Sequence, residues 1–562
     1  MPSSTAFFSH FKQNIQSIPL PERFTFPYYY DPHPLCLLAV EELQQHLMAQ
    51  TDWEHDFSLV CDHGSDNVAA GGKMFGVLLG KDKSGEIGYL TGFAGTLAGE
   101  YIQPGFVPPV FDTEREQALS SKHGMAINQL NAAIDELENQ QDFAELSKQL
   151  RTETDQAERE IEAERQRISA AKRQRKALRD SPAYDQDFAL RDRLAKESSQ
   201  EKRAFKTLKQ QWLVKVEALT ATLNARRTAI DDLKAARTRA INNALEERFK
   251  LFRFRNAAGE VKHLDELMSL NHDVIASVPS GLGECVVPKL LNHAFLHDIT
   301  PLAITEFWWG ASPKDQIRQH KNFYPVCQSK CFEILSHMLE GIETDDSPLI
   351  VNPAQGRDLE IIYEDSAMVI VNKPAEFLSV PGKSITDSVY SRIKARYPDA
   401  TGPLIVHRLD MSTSGLLVLA LSVEANKIIQ QQFINRTVSK RYVALLEGHV
   451  EPSRGKIALP IRGDIGDRPR QMVCFTDGKP AETTFEVIER KNNRTKVYLY
   501  PKTGRTHQLR VHCAHIDGLN MPIVGDDLYG YKSTRLHLHA EQLSLRHPVT
   551  NEKMTFQVDA EF

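Results

Sequence analysis

No run of eighteen or more apolar residues occurs in the 562-residue sequence, which excludes a conventional transmembrane helix. The first ten residues, Met1 to His10, lack a basic start followed by an apolar core, so no secretory signal is expected. Cysteine is scarce. Seven are scattered along the chain, an odd number that does not suit a fully paired disulfide framework and fits reduced thiols in the cytoplasm. An excess of positive charge is also missing: 68 Lys and Arg stand against 74 Asp and Glu, a net charge of −6. The chain as a whole is therefore not a polycation that binds nucleic acid by bulk charge. What is present is a globular composition, with 41% hydrophobic and 25% charged residues, and a length that implies three or four domains.

Two further absences mark one segment. Between about Thr113 and Leu245, proline occurs only at Pro182 and glycine only at Gly124. Glu, Gln, Lys, Arg, Ala and Leu dominate there. Ile127, Leu130, Ile134 and Leu137 follow a three-four-three spacing, which Leu146, Leu150, Ala157, Ile161 and Ile168 continue. A second stripe runs through Phe205, Leu208, Trp212, Val216, Leu219 and Leu223 to Ile230 and Leu233. This is a coiled-coil pattern. Asp180-Ser181-Pro182-Ala183 interrupts it near the middle, where proline ends a helix. The expectation is an antiparallel coiled-coil arm over residues 113–248 with its turn near 180–185. At about 1.5 Å per residue each helix would reach on the order of 90–100 Å. One continuous helix that dimerises is the other reading of the same stripe.

The flanks are globular. In residues 1–112, Cys36 to Met48 has helical apolar spacing, and Met74–Gly80 and Ile87–Phe93 flank a polar Ser84-Gly85 link, the pattern of a β-hairpin. After the arm, Phe249 to Arg255 alternates like a strand ahead of a turn at Asn256–Gly259. Because a hairpin brings its ends together, residues 1–112 and 249–344 are expected to form one accessory domain interrupted by the arm. Gly281-Leu282-Gly283 reads as a turn before a helix, and Trp308-Trp309 as core. Cys285, Cys327 and Cys331 lack a second closely spaced cysteine pair, so they read as buried thiols and no metal is expected. Asp345-Asp346-Ser347-Pro348 marks a linker over 345–356.

Charge is unevenly distributed. Residues 357–562 carry 28 Lys and Arg against 24 Asp and Glu, whereas the rest carries 40 against 50. Within the positive part, Leu404-Ile405-Val406 and Leu416 to Leu421 are short apolar runs that read as buried strands. The polar stretch His407-Arg408-Leu409-Asp410-Met411-Ser412-Thr413-Ser414-Gly415 lies between them. Asp410 is thus expected on a loop held by core strands, where catalytic groups are often found.

This stretch resembles the signature of the RluA family of RNA pseudouridine synthases, and three other segments extend the resemblance in family order. Tyr363 to Pro374 is similar to the family's opening segment, and Lys440-Arg441-Tyr442-Val443-Ala444 to its tyrosine motif. Thr503-Gly504-Arg505-Thr506-His507-Gln508-Leu509-Arg510, with Pro522–Asp526 and Leu528-Tyr529-Gly530, is similar to its third motif. Leu378–Gly382, Leu459-Pro460-Ile461 and His539-Ala540-Glu541 narrow the likeness to the RluA branch. The resemblance covers residues 357–562 and nothing before residue 345. One departure is Glu376, where the family usually has glycine two residues after the Lys-Pro pair.

The resemblance implies the isomerisation of uridine to pseudouridine. The bond from the sugar to uracil N1 breaks, the base rotates, and the sugar is rejoined through C5. No redox step or group transfer is involved, so no cofactor is implied. The chemistry needs a carboxylate, a dry pocket and a way to unstack the base. By the resemblance, the catalytic residues are Asp410, Tyr442 against the base as a candidate proton acceptor, and Arg510, paired with Asp410 from a helix beginning near Thr506. Arg408 is implied to fill the gap left by the flipped nucleotide, and Arg462, Arg468, Arg470 and Arg505 to contact RNA. Arg454 and Lys502 are additional phosphate candidates. The fold class expected is α/β of the α+β type: a mixed-sheet catalytic domain, preceded by an α+β domain that the coiled-coil hairpin interrupts. The implied partner is RNA (rRNA, a tRNA anticodon stem-loop, or both), in the cytoplasm and not at a membrane. The arm offers ribosomal or self-association. The competing reading is an RNA-binding assembly factor or scaffold working through that arm.

Overall fold

A computed structural model of the chain describes residues 7–59, 71–139, 141–180, 184, 187–268, 281–314, 316–326 and 331–562. These fall into two compact units, one formed chiefly by Glu114–Leu251 and the other joining the residues before the arm to those after it. No helix among the described residues is long and apolar enough to cross a membrane.

The first unit is a long helical hairpin. Helices α2 (Thr113–Asn139) and α3 (Gln141–Arg179) lead out and α4 (Phe188–Phe249) returns. Cross-pairs establish the antiparallel sense. Arg175 meets Glu201 at 2.5 Å, Trp212 Nε1 donates to Glu160 at 2.9 Å, and Lys215 reaches Glu153 at 2.6 Å. Further along, Lys234 meets Glu138 at 2.6 Å and Arg248 meets Glu116 at 3.0 Å. Ile134, Ala157, Leu194, Leu223 and Ile230 form the buried seam. Two helices can cover an apolar stripe from one side only, which is why other stripe positions stay half-exposed. The chain returns as a hairpin and not as one continuous helix. Residues 181–183 and 185–186, where the turn was expected, lie outside the described residues. Asp187 begins α4 by accepting the Leu190 N–H at 2.9 Å, a side-chain cap.

The second unit contains two main sheets. The smaller has strand order β1-β3-β2-β6-β7, with β1 Ser9–His10, β2 Lys73–Lys81, β3 Ile87–Phe93, β6 Thr300–Trp309 and β7 Phe323–Tyr324. Here β2 and β3 form the hairpin expected around Ser84-Gly85, and helix α1 (Pro34–Ala49) covers one face. The β2–β6 pairing joins strands from either side of the arm in one sheet. At the two chain crossings, Arg253 N–H donates to the Val110 carbonyl at 3.3 Å and Phe111 packs on Phe252 with centroids 4.6 Å apart. The strand expected from Phe249 begins later, because α4 continues through Phe249. Only β4 (Arg253–Arg255) is extended, and it pairs with β5 (Val261–His263). Trp309 is core, Cys331 is buried and Cys285 precedes the helix Val286–Leu296; Cys327 lies outside the described residues. The expected linker is partly tied down, since Asp345 N–H donates to the Phe24 carbonyl at 2.8 Å.

The larger sheet has ten strands in the order β13-β16-β17-β12-β18-β11-β9-β8, with β10 added to β11 and β19 to β18. Their ranges are β8 Glu360–Glu364, β9 Met368–Lys373, β10 Leu404–Ile405, β11 Ser414–Ala420, β12 Ser439–Glu447 and β13 Arg454–Ile457. Beyond a separate ribbon of β14 (Ile461–Gly463) and β15 (Gln471–Val473) follow β16 Thr483–Lys491, β17 Arg494–Pro501, β18 Leu538–Arg546 and β19 Lys553–Gln557. All β11 side chains are buried, as its continuous apolar run requires of a central strand. The sheet is mixed because β11 and β18 run parallel through Ser414–His539 and Gly415–Ala540. Gly415 makes that contact possible. Its φ is 113°, and a Cβ there would lie 2.4 Å from the Ala540 carbonyl oxygen.

Gly415→Ala is expected to destabilise the chain by roughly 2–3 kcal/mol through backbone overlap and the left-handed conformation. Chemical denaturation of the two proteins measures this directly.

Candidate active site

Asp410 lies on the loop between β10 and β11, and three side chains fix that loop. His407 Nε2 accepts the Val418 N–H at 3.2 Å while its ring stacks on Phe433. Burial pushes the His407 pKa down to about 3, so it stays neutral and keeps that acceptor. The Ser379 hydroxyl donates to the Leu409 carbonyl at 2.7 Å and accepts the Leu409 N–H at 3.1 Å. Lys373, fully buried, donates from Nζ to the carbonyls of Pro374, Phe377 and Met411 at 3.0, 2.7 and 2.9 Å. Burial lowers its pKa to about 7, against the pull of the Glu376 and Asp410 carboxylates.

The Asp410 carboxylate makes no hydrogen bond or ion pair with a described residue. It faces a pocket lined by Arg408, Tyr442, Arg505, His507 and Arg510 among others. Another hollow, lined by Glu447, Lys491, Arg494 and Phe562, contains none of these groups. Tyr442 enters from β12 at a bulge opposite β18, between Arg441 and Tyr442. Burial raises its pKa, and the Asp410 charge raises it further. Its hydroxyl therefore stays protonated at neutral pH.

Arg510 departs from the expectation in its partner. It lies on the helix Gln508–Ala514, and its Nε and Nη2 bond the two Asp526 carboxylate oxygens at 2.8 and 2.5 Å. Nη2 also reaches Asp527 at 2.9 Å. No bond joins Arg510 to Asp410, although both line the pocket. Burial alone would lower the Arg510 pKa; the adjoining Asp526 carboxylate outweighs it and the net shift is upward. The helix begins two residues after Thr506, directly after His507, whose φ of 53° is left-handed and whose side chain caps nothing. His507 instead pairs through Nδ1 with the Tyr529 hydroxyl at 2.8 Å, and that hydroxyl accepts the Gln471 N–H at 2.6 Å. His507 and Tyr529 both belong to the third motif. Their juxtaposition across 22 residues is what sequence spacing could not supply.

The expected RNA-contacting arginines divide. Arg408, Arg468 and Arg505 are exposed, and Arg462 is half-buried beside Cys474. Arg470 differs from the expectation: it is buried, paired with Asp467 at 3.1 Å and stacked over Tyr324, which withdraws its guanidinium from the surface. Lys502 is held by Glu482 at 2.5 Å. Among the described residues one group, Glu260, His337 and Glu340, brings three possible metal-ligand atoms within 4.8 Å of one another, and none of these residues lines the pocket. Glu376 has a φ of 55°, which explains why glycine suits that position.

The last third of the sequence matches a known class of RNA-modifying isomerase. Residues 367–515 match the family model described as RNA pseudouridylate synthase. The dual-specificity RNA pseudouridine synthases RluA of Salmonella typhi and Escherichia coli are each 44% identical over 219 residues, which span 38% of this chain and 97% of theirs. That of Pasteurella multocida is 45% identical over 212 residues, 36% of this chain and 94% of its own. Among solved structures, human RNA pseudouridylate synthase domain containing 1 is 33% identical, with a TM-score of 0.32, over 36% of this chain and 84% of that one. The chain belongs to the RNA pseudouridine synthase family, the RluA type, and is accordingly an isomerase acting on RNA.

Two outcomes are expected. Lys373→Met leaves three inward-facing carbonyls without their donor, and should cost roughly 2–4 kcal/mol in a denaturant titration. Glu376→Gly relieves a left-handed side-chain residue at a small entropic cost. It should raise stability by roughly 0.5–1 kcal/mol in the same titration.

Proposed function

We propose that Asp410 is the carboxylate through which this enzyme isomerises a uridine in structured RNA. The observation that carries the assignment is an uncommitted carboxylate on a loop immobilised by Lys373, Ser379 and His407, facing a pocket with Tyr442, His507 and Arg510. A group held this rigidly loses little entropy on meeting the flipped nucleotide. Tyr442 lies against the base as a protonated phenol that donates to it. Arg510, its Nε and Nη2 committed to Asp526 and Asp527, presents its remaining edge to the pocket. His507 is kept towards the neutral form, first by burial, with Arg510 acting in the same direction and Asp410 opposing. Arg408 stands at the mouth, where its planar guanidinium can occupy the gap left by the extruded base. Arg505, Arg468 and Arg462 supply backbone contacts.

The substrate proposed is a stem-loop of large-subunit ribosomal RNA, a tRNA anticodon stem-loop, or both, in keeping with the dual specificity named for the RluA relatives. We assign residues 357–562 as the catalytic domain, 1–112 and 249–344 as the accessory domain, 113–248 as an arm and 345–356 as the linker, in a cytoplasmic protein. The arm is proposed to meet a ribosomal surface or a second copy of the chain.

Pseudouridine is to be mapped in total RNA from cells lacking the protein, complemented with the intact chain or with Asp410→Asn. At least one uridine should be modified with the intact chain and left unmodified with the variant. Restoration of every site by Asp410→Asn would sink the assignment. Failure of an arm-deleted chain to restore a function that Asp410→Asn does restore would favour the scaffold.

A further inference from the structure

The accessory segment 316–324 bonds to two stretches of the later chain, the loop 464–470 and the turn after Asp526. Arg318 Nη2 donates to Asp467 Oδ2 at 2.6 Å, and that same oxygen forms an ion pair with Arg470 Nε at 3.1 Å. Both guanidiniums lie over Tyr324, at 4.9 Å for Arg318 and 5.1 Å for Arg470. The Tyr324 hydroxyl in turn accepts the Gln319 N–H at 2.7 Å. Two amides of this segment then hold the turn that follows Asp526: Gln319 Nε2 donates to the Tyr529 carbonyl at 3.1 Å and Asn322 Nδ2 to the Gly530 carbonyl at 2.8 Å. Ile317 is buried in the same apolar cluster as Ala444, Leu509 and Tyr529. None of these accessory residues lines the pocket. The residues they hold are one step from it, because Tyr529 carries His507, and Asp526 carries Arg510.

We propose that Arg318, with Gln319 and Asn322, is a positioning element of the active site. It locks the loop 464–470 through Asp467, and it fixes the Tyr529 turn that orients His507 and Arg510. The accessory part is on this reading a component of the catalytic apparatus, and not only a handle for partners. Two charged groups of the loop, Asp467 and Arg470, are engaged internally, so Arg468 is left as its exposed arginine. The loop meets RNA already shaped, which narrows the stems that fit. The inference rests on the placement of the active site around Asp410.

The test uses the full chain and total RNA from cells lacking the protein, labelled with tritium at uracil C5. Isomerisation releases that hydrogen when C5 joins the sugar, and rates over a range of RNA concentrations give kcat and KM. Arg318→Ala and Asp467→Ala should each lower kcat/KM by about tenfold or more, since small misplacements of reacting groups are costly. The double variant should be little worse than the more damaging single, as expected for residues acting as one unit. Arg318→Lys should recover part of the loss. Lys532→Ala, which removes an exposed accessory contact to Asp31 at 2.7 Å, should leave the rate unchanged. Circular dichroism at the assay temperature confirms that each variant is folded. An unchanged kcat/KM in folded Arg318→Ala overturns the proposal, and so do losses that multiply in the double variant. If Asp410→Asn retains activity in the same assay, it is the active-site placement that fails.

Discussion

The site depends first on the buried pair of Arg510 and Asp526. Their side chains are 4% and 0% exposed, so both ions have left water almost completely. Such a transfer costs several kcal/mol per ion and is tolerated only when lone pairs and protons are met. Here they are. Asp526 receives two guanidinium nitrogens and the N–H groups of Leu528 and Tyr529. Loss of one partner would strand the other at a cost of roughly 3–5 kcal/mol. The pair binds the helix Gln508–Ala514 to the turn at Asp526–Gly530, and that turn places the Tyr529 hydroxyl between Gln471 and His507. One ion pair thus holds Arg510 in the pocket lining, while Lys373 and Ser379 hold the loop that brings Asp410 to it.

The position of Asp410 was legible because it depends on local facts. Two apolar runs flank a polar turn, and period and composition identify both. The arm was legible for a similar reason, since helix-breaking residues are missing from it. What the sequence did not disclose are choices between chemically equal partners. Asp410 and Asp526 are both candidates to neutralise Arg510, and only the tertiary arrangement selects Asp526. The strand expected at Phe249 failed because an alternating apolar pattern fits the last turn of a helix as well. Glu376 was noticed as a departure, but its reason, a left-handed backbone, belongs to conformation and leaves no trace in composition.

Arg470 shows the limit most clearly. As one of three arginines in a polar loop it reads as a phosphate contact. Its burial is caused by Tyr324 and Arg318, more than a hundred residues earlier in the chain. The relatives match this chain only over its last part, so the likeness that names Arg470 contains no information about residues that cover it. A motif carried over from a shorter protein describes the groups that chemistry requires. It does not describe which of them a chain's own additional elements have enclosed.

That distinction bears on how an accessory element can alter recognition without touching RNA. A flexible basic loop adapts to several stems, but ordering it draws on the binding energy. A loop held by Asp467 between Arg318 and Arg470 has met that cost during folding. On the reading advanced above, the enzyme gives up adaptability at this loop and gains a wall whose geometry is set before RNA arrives. Specificity then shifts to the exposed arginines at the pocket mouth, Arg408 and Arg505, and to shape. The electrostatics agree with this division: the Tyr442 phenol is held protonated and His507 is kept towards the neutral form, both chiefly by burial. On that same reading the pocket offers the base hydrogen bonding and form, and the unpaired positive charge stands at its edge.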